Sequence, residues 1–442
     1  MPRIIIISAI IALIIFVSAC SKNKAESPID SPQMEDATAQ TPSAGSGLTS
    51  AQAAAAEVGD YAATQSNHFS FKLFRELNHK PGNIFFSPYS INAALGMTYS
   101  GAKGATADEI AEVMGYSQSP DDQHRILGKN QADLLSYAEK NPLELNVANA
   151  IFSAAPNAPY LKRGYINLLR ESFAAELFNL DFSKAQESSD FINEFVSKAT
   201  NDRIRDMMTK AKLEKIGDGI VLINAVYFKA DWLQKFSPKD TREDRFYLDP
   251  NRQKTMMIDM MHQKARFGYG KIPGYEILEM PYAAEDMSMV MILPERMETL
   301  EKELDEELFD KLMDALKIQE TRVFIPRFRM EESLDALGDS FQSLGMCSAF
   351  NPDLADFSGI MSVDKARNLY ISSISHKAFL EVKEEGSEAA AATDVSFAVT
   401  SFQPPSEIPV FRADRAFVLM IIHRPSRQIL FMGKLIEPAP AD

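Results

Sequence analysis

Cysteine, histidine and tryptophan are scarce in this chain, and the usual motifs of enzyme active sites are missing. Of the 442 residues, two are cysteine, six are histidine and one is tryptophan. Two cysteines cannot build a disulfide framework, and no histidines have the spacing of a metal site. Zinc-protease, phosphate-loop and serine-hydrolase motifs do not occur. These absences predict a protein that uses no metal or other cofactor and is not an enzyme.

Positive charge is also in short supply. The chain has 46 Lys and Arg against 61 Asp and Glu, a formal net charge of −15. Nucleic acid is therefore excluded as an expected partner, because phosphate binding needs an excess of basic side chains. With 45% hydrophobic residues, the chain has enough apolar material for a large globular core.

The first twenty residues have the pattern of an export signal. Arg3 precedes an apolar run from Ile4 to Val17, shorter than the ~20 residues of a membrane span. The ending VSAC resembles the lipobox of bacterial lipoproteins, which implies that residues 1–19 are a signal peptide and Cys20 is lipidated. An uncleaved anchor helix is the alternative. Either way we expect the body outside the cytoplasm. Ser21, where an inner-membrane retention signal would use Asp, favours the outer membrane or cell surface, with the periplasm as an alternative.

Residues 20–57 are rich in Ser, Ala, Pro and Gln and almost lack large apolar side chains. Such a segment cannot bury a core, so it is expected to be a flexible tether, whose alanine run could begin a helix. A globular domain is expected from residue 58 to 438. Lipidation of Cys20 leaves Cys347 without a partner, and we expect Cys347 to be a small buried apolar residue.

Helical periodicity dominates the first half of the domain and strand patterns dominate the second. Phe69, Leu73 and Leu77 recur at helical spacing. Ser87 followed by Pro88 is typical of a helix start. Strands are predicted at 146–152, 221–229, 277–280, 287–293, 321–328, 378–383, 417–423 and 428–435. This distribution predicts an α+β fold.

The stretch EEGSEAAAAT, residues 384–393, follows a predicted strand but is rich in alanine. If it were extended, Ser387, Ala389, Ala391 and Thr393 would share one small face that tolerates burial. Small side chains would let the segment slide between two existing strands, and Gly386 would supply a backbone hinge. An alanine-rich surface loop is the alternative from these residues alone.

Nine stretches, in this order and spacing, resemble the serpin family from about residue 60 to 438. They are NIFFSPYSINAALGMTYSGAKGATADEI (83–110), LNVANAIF (145–152), INEFVSKATNDRIRDM (192–207), LINAVYFKADW (222–232), EMPY (279–282), FIPRF (324–328), ISHKAFLEVKEEGSEAAAAT (374–393), FRADRAFVLMI (411–421) and ILFMGKLIEP (429–438). The resemblance implies one domain of three β-sheets with a helical cap and an exposed reactive-centre loop at about 384–409.

The resemblance also implies a mechanism. A target protease attacks the loop and forms a covalent acyl complex. The freed loop then inserts into the largest sheet as a new strand, and deacylation stalls. The inhibitor is expected to act as a monomer. The implied hinge comprises Glu384, Glu385, Gly386, Ser387, Glu388, Ala389, Ala390, Ala391, Ala392 and Thr393.

Five further residues match positions that control sheet opening in the family. Ser87, Ser90, Asn224 and His376 match a hydrogen-bonded group, and Trp232 matches a tryptophan packed where the loop first inserts. From the residues alone, His376 is expected to be buried and hydrogen-bonded. Two residues depart from the family pattern: Ala230 replaces a usual glycine and Ala416 a usual proline. Both are expected to alter local rigidity and the stability of the strained state.

The scissile bond of the family lies fourteen residues beyond the hinge glycine, between Thr400 and Ser401 here, with Val399 and Phe402 as alternatives. No Arg or Lys occurs between Lys383 and Arg412, so a trypsin-like target, whose pocket needs a cation, is not expected. The sequence favours an inhibitor of elastase-like serine proteases with small apolar pockets. A papain-like or chymotrypsin-like target, or a non-inhibitory serpin that binds partners at the surface, are the alternatives.

Overall fold

The computed structural model describes residues 50–79, 81–335, 337–362, 368–387 and 407–441, with side chains from Tyr61 onward. All of them belong to the compact unit Thr49–Asp442. Among these described residues, no helix combines the length and apolar character needed to cross a membrane.

Seven of the ten helices in the described residues precede the central strand of residues 220–231. The longest, α1, contains the alanine run, and α2 is capped as predicted: the Ser87 hydroxyl accepts from the Ser90 backbone N–H at 3.1 Å, and Pro88 occupies the first turn. The helices are α1 Ser50–Leu77, α2 Pro88–Tyr99, α3 Gly104–Met114, α4 Pro120–Lys140, α5 Arg163–Phe173, α6 Ala185–Ala199, α7 Lys210–Leu213, α8 Met297–Glu303, α9 Glu306–Asp314 and α10 Leu337–Ser343.

The strands form two hydrogen-bonded sheets in the described residues. They are β1 Ile84–Phe86, β2 Leu143–Ala154, β3 Glu176–Leu180, β4 Ile220–Asp231, β5 Arg242–Tyr247, β6 Thr255–Ile272, β7 Tyr275–Pro281, β8 Met287–Pro294, β9 Lys317–Pro326, β10 Phe328–Leu334, β11 Ile371–Val382, β12 Gly386–Ser387, β13 Val410–Arg412, β14 Phe417–His423 and β15 Gln428–Leu435. The six-stranded sheet has the order β10-β11-β4-β2-β3, with β12 on β4. The nine-stranded sheet has the order β1-β15-β14-β8-β7-β6-β9-β13, with β5 on β6.

The predicted α+β class is confirmed, and the long strand β6 explains how the expected three sheets are connected. Its first residues pair with β5, its middle with β9 and its last residues with β7. Two sheets of the expected three are thereby joined through one continuous strand. The prediction of a single strand over 321–328 is wrong, because the chain leaves the nine-stranded sheet after Pro326 and enters the six-stranded sheet at Phe328.

Strand β4 is buried on both faces, as its apolar run predicted. Val226 and Phe228 belong to the core between the two sheets. Val221 and Tyr227 point to the other face, which packs against α6. We call this second side, covered by α6, the outer face of the six-stranded sheet.

The expectation that Cys347 is buried is wrong. Its side chain is exposed. The chain turns at Gly345, which has a φ of +113°, and Cys347 lies at the start of a short 3₁₀ turn. In this turn the neighbouring Met346 and Ser348 occupy the buried positions.

Candidate hinge and sheet-opening site

Strands β4 and β11 lie side by side in parallel, and their pairing ends before the strands do. Their ladder runs from Ile371 opposite Ile220 to Phe379 opposite Tyr227. Beyond that pair the two strands no longer pair with each other, and residues 380–382 pair with β10 and residues 228–230 with β2 on their far sides. We call the paired part the seam, and the opening between residues 228–231 and 380–382 the wedge.

The beginning of the hinge already lies in the wedge. Gly386 pairs with Asp231 and Ser387 with Ala230, antiparallel to β4. The Ser387 side chain is fully buried, and its hydroxyl lies 2.8 Å from the Tyr282 hydroxyl. The small face predicted for this segment therefore points inward at its first residue. Residues 388–393 of the hinge and the bond candidates Val399, Thr400, Ser401 and Phe402 lie outside the described residues.

Close backbone contact explains why position 386 is a glycine. A Cβ atom at this position would lie 2.2 Å from the Ala230 carbonyl oxygen and 2.6 Å from the Asp231 Cα. Both are backbone atoms that cannot move aside without shifting β4. The absence of a side chain is therefore needed for packing as well as for backbone freedom.

Trp232 lies at the wedge, where the sequence placed it. Its backbone N–H donates to the Glu385 carbonyl at 2.8 Å, and its indole N–H donates to the Lys383 carbonyl at 2.9 Å. Its ring stacks on Tyr282 with centroids 4.6 Å apart and an interplanar angle of 8°. Burial raises the pKa of Tyr282 well above its usual value, so its hydroxyl stays neutral and can donate. Sequence reasoning did not single out Tyr282, although it lies in the matched stretch EMPY.

Glu384 is a buried carboxylate that fixes the base of the hinge. It is 5% exposed. Its carboxylate accepts from the Thr241 hydroxyl at 2.6 Å and lies 3.5 Å from Arg327 Nε, while its carbonyl accepts from the Phe236 N–H at 2.8 Å. A charge at this depth is stable only when it is paired and hydrogen-bonded. The two side-chain partners were not predicted, since nothing local in the sequence links them to residue 384.

The other four predicted residues form one buried cluster at the seam. His376 Nε2 accepts from the Ser87 backbone N–H at 3.0 Å, and its Nδ1 lies 2.5 Å from Asn224 Oδ1. The amide nitrogen of Asn224 donates to the Ser90 carbonyl at 3.0 Å, to the Ser90 hydroxyl and to Asn149 Oδ1. The Asn149 contact was not predicted. We call these five residues the polar cluster.

The polar cluster bridges the two strands that would have to separate. Asn224 on β4 and His376 on β11 are direct register partners. Because Nε2 accepts a hydrogen bond, the ring is neutral and Nδ1 donates to Asn224. Burial lowers the pKa of His376 to about 3, which keeps the ring in this form at neutral pH. The cluster therefore supplies a side-chain hydrogen bond across the seam.

The two departures from the family pattern lie in different surroundings. Ala230 is buried and pairs with both Leu143 and Ser387, directly beside the wedge. Ala416 is half-buried and immediately precedes β14. Their predicted effects on rigidity stay predictions.

The open sheet end, occupied by the first residues of the segment after β11, is an arrangement to which an extended segment can be added as a strand. The family model described as "Serpin (serine protease inhibitor)" matches residues 64–438. The chain belongs to the serpin family, and the expected serpin fold is confirmed by its structural neighbours.

Relatives from distant organisms agree with this assignment. An uncharacterised serpin-like protein of Thermococcus kodakarensis is 35% identical over 377 residues, covering 84% of each chain. The leukocyte elastase inhibitor of Equus caballus is 34% identical over 389 residues, covering 85% of this chain and 99% of its own. Human thyroxine-binding globulin, solved in complex with thyroxine, superposes with a TM-score of 0.76 at 28% identity, covering 86% of this chain and all of its own.

The plain prediction "not an enzyme" has to be corrected in the light of this family match. Inhibitory members of a serine protease inhibitor family act as suicide substrates, so they enter the reaction of the protease they meet. In such a protein the functional residues flank the bond that the protease attacks or belong to the segment that moves afterwards.

Proposed function

We propose that this chain is a suicide-substrate inhibitor of serine proteases with small apolar specificity, such as elastase-like enzymes. A protease attacks the loop at or near the bond between Thr400 and Ser401 and becomes covalently attached as an acyl-enzyme. Insertion of the loop as a new strand then traps it before hydrolysis. The observation that carries the proposal is the pairing of Gly386 and Ser387 with β4 inside the wedge.

The observed register supports insertion along the whole seam. Two pairs are in place, Gly386 with Asp231 and Ser387 with Ala230. If the ladder continues antiparallel, each later hinge residue faces the preceding residue of β4. Ala389 and Ala391 would then point inward opposite Phe228 and Val226, where small side chains fit. Thr393 would arrive opposite Asn224 and replace His376 as its neighbour.

We call the form in which the loop has not inserted the closed form. Several interactions hold it, and loop insertion must replace them with others. The pair of Asn224 and His376 crosses the seam, and Glu384 with Arg327 holds the base of the hinge. A completed strand gains backbone hydrogen bonds and buried surface that the closed form lacks. The inhibitor would therefore be kinetically trapped until a protease cuts the loop.

The loop sequence supports an elastase-like target. Between Lys383 and Arg412 there is no basic residue to fill a trypsin-like pocket. The elastase inhibitors among the relatives support the same class of target. If the scissile bond lies after Phe402 instead, a chymotrypsin-like enzyme would recognise that residue. A papain-like protease is a further alternative.

A second candidate is a non-inhibitory serpin that binds a ligand or partner at the envelope. It is favoured by the structural likeness to thyroxine-binding globulin in complex with thyroxine. The small residues Ser387, Ala389, Ala391 and Thr393 favour the inhibitor, because none of them is charged, bulky or a proline that would block insertion.

We also propose that the protein is exported and held at the cell envelope by lipid on Cys20, with residues 20–57 as tether. It would act there as a monomer. Cys20 and the segment before it lie outside the described residues. Mass spectrometry of the purified N-terminus should find a diacyl or triacyl group on Cys20. A mature N-terminus without an acyl group, or an N-terminus that still carries residues 1–19, would contradict the anchor.

The function is tested by mixing protein that begins at Ser21 with neutrophil elastase, chymotrypsin and papain. We expect an SDS-stable adduct with elastase, and mass spectrometry of the cleaved chain should locate the bond at or near Thr400. Ser387→Arg, which puts a charge at the buried first position, should convert the inhibitor into a substrate. Glu388→Arg, on the predicted opposite face, is the matched control and should still form adduct. Clean cleavage of the unaltered chain without adduct would contradict the proposal.

A further inference from the structure

Four side chains form a row across the outer face of the six-stranded sheet, in the order Arg203, Tyr227, Phe379, Arg329. The rings of Tyr227 and Phe379 have centroids 6.2 Å apart at an angle of 37°. The Arg203 guanidinium lies 5.8 Å from the Tyr227 ring centre, and that of Arg329 lies 4.9 Å from the Phe379 ring centre. Both rings are buried, in the cluster that packs against α6.

The ring pair lies at the boundary between seam and wedge. Tyr227 on β4 and Phe379 on β11 are register partners, and theirs is the last pair of the ladder. A strand that advances from the wedge meets this pair before it reaches Asn224 and His376. The rings are therefore the first side-chain contact across the seam that has to separate.

Each of the two rings is covered by a guanidinium group that lies on the same side of the seam as that ring. Arg329 on β10 also binds Glu331 at 2.5 Å, and Glu331 binds Lys377 of β11 at 2.9 Å. These ion pairs keep the Arg329 guanidinium over Phe379. Arg203 follows α6 and covers Tyr227 from the opposite side. Each cation stabilises the ring that it covers, because the ring face is negative.

Insertion breaks only the middle contact of this row. A new strand between β4 and β11 increases their separation by about 4.8 Å, which takes the two rings out of contact. Arg203 can stay with Tyr227 and Arg329 with Phe379, since each cation and its ring lie on the same side of the seam. The barrier to opening at this level is therefore concentrated in one aromatic contact.

We propose that Tyr227 and Phe379 are positioning residues that set the rate at which the seam begins to open, with Arg203 and Arg329 holding the rings against each other. One consequence, the effect of the two rings on the speed of strand insertion, rests on the proposed function. The inference also makes a claim about the uncleaved protein, and that claim can be tested without any protease.

The test is amide hydrogen exchange in the intact chain, comparing Phe379→Val with Phe178→Val. Phe178 lies on β3 of the same sheet, and its ring contacts are with Phe152, Phe191 and Phe195, away from the seam. We expect amides of residues 374–379 to exchange about tenfold faster in Phe379→Val, the effect of losing one aromatic pair. Phe178→Val should leave them at the unaltered rate, and amides of residues 418–421 in the nine-stranded sheet should not change in either variant.

Two further variants separate a positioning role from a general loss of stability. Phe379→Tyr keeps the ring and should restore the unaltered rate. Arg203→Gln, at an exposed position, should accelerate exchange at the seam by about two- to threefold. Equal exchange at the seam in Phe379→Val and Phe178→Val would overturn the inference, as would equal acceleration of residues 418–421.

Failure of the proposed function would look different. In that case the unaltered chain would be cleaved by elastase without forming an adduct, whereas the exchange difference between the two valine variants would persist.

Discussion

The wedge and the polar cluster lie in the same pair of strands but are built from different interactions. At the wedge, the stacked rings of Trp232 and Tyr282 and the carboxylate of Glu384 hold the first hinge residues in place. At the polar cluster, neutral side chains hydrogen-bond directly across the seam. The difference shows that the sheet already pairs with the first hinge residues at the wedge. Further along, the seam is still closed by side-chain contacts that an inserting strand would have to replace.

The largest effect is expected at Glu384. Glu384→Lys would bury an ammonium group beside Arg327 in place of a paired carboxylate. Leaving an uncompensated buried charge costs about 3–5 kcal/mol, so the base of the hinge should detach from the wedge. Size-exclusion chromatography and thermal unfolding should show loss of monomer and a lower midpoint. Glu385→Lys, at a half-buried neighbour, is the control, and equal behaviour of the two variants would refute the role of Glu384.

A smaller effect is expected at Gly386. Gly386→Ala places a Cβ against the backbone of Ala230 and Asp231, at a cost of about 1–3 kcal/mol. The hinge should leave the wedge, and the hydroxyl contact of Ser387 with Tyr282 should be lost. Because Trp232 is the single tryptophan, its fluorescence reports on this change directly. An emission spectrum identical to that of the unaltered chain would show that β12 tolerates a side chain.

The polar cluster should be sensitive to pH through His376. Burial lowers the pKa of His376 to about 3, against about 6.5 in an unfolded chain. Below pH 6.5 the unfolded state therefore binds a proton that the folded state does not. The free energy of unfolding should fall as pH decreases from 6.5 towards 3, by up to about 1.4 kcal/mol per pH unit, and should be insensitive to this group above pH 7.5.

Denaturant unfolding of the unaltered chain and of His376→Gln between pH 7.5 and 4.5 checks this dependence. Burial also lowers the pKa of His423, but His423 is present in both proteins and cancels in the comparison. The slope should be shallower in the glutamine variant. Parallel curves would mean that His376 does not carry the dependence.

The smallest effect is expected at Asn149. Asn149→Ala removes one acceptor from Asn224 but leaves the bonds to Ser90 and His376. A net loss of about 1 kcal/mol in the free energy of unfolding is expected. Ser375→Ala, beside His376 on β11, serves as the control for a small change in the same strand. An effect larger than that of His376→Gln would contradict this assignment of hydrogen bonds within the polar cluster.

Local patterns predicted the elements better than they predicted the contacts of the site. The strand at 428–435 and the helix start at Ser87 were read correctly, because strand periodicity and capping are encoded in neighbouring residues. The strand predicted over 321–328 failed, because its apolar pattern continues while the chain passes from one sheet to the other.

The contacts of Glu384 and Asn224 show why the rest could not be predicted. Glu384 contacts Arg327, between β9 and β10, and Thr241, just before β5; both are far away in the chain, and no spacing rule links them to residue 384. Ser87, Ser90, Asn224 and His376 were grouped through the family resemblance alone. The geometry that joins them depends on the parallel register of β4 and β11, which is a property of the folded sheet.

The most direct test of the central claim is the thermal unfolding of loop-cleaved protein beside intact protein, followed by Trp232 fluorescence. If the hinge continues from the wedge through the seam, the cleaved chain should unfold at a much higher temperature. Its Trp232 emission should also change on cleavage, as the wedge becomes filled. Cleaved and intact protein that unfold at the same temperature, with unchanged emission, would contradict strand insertion.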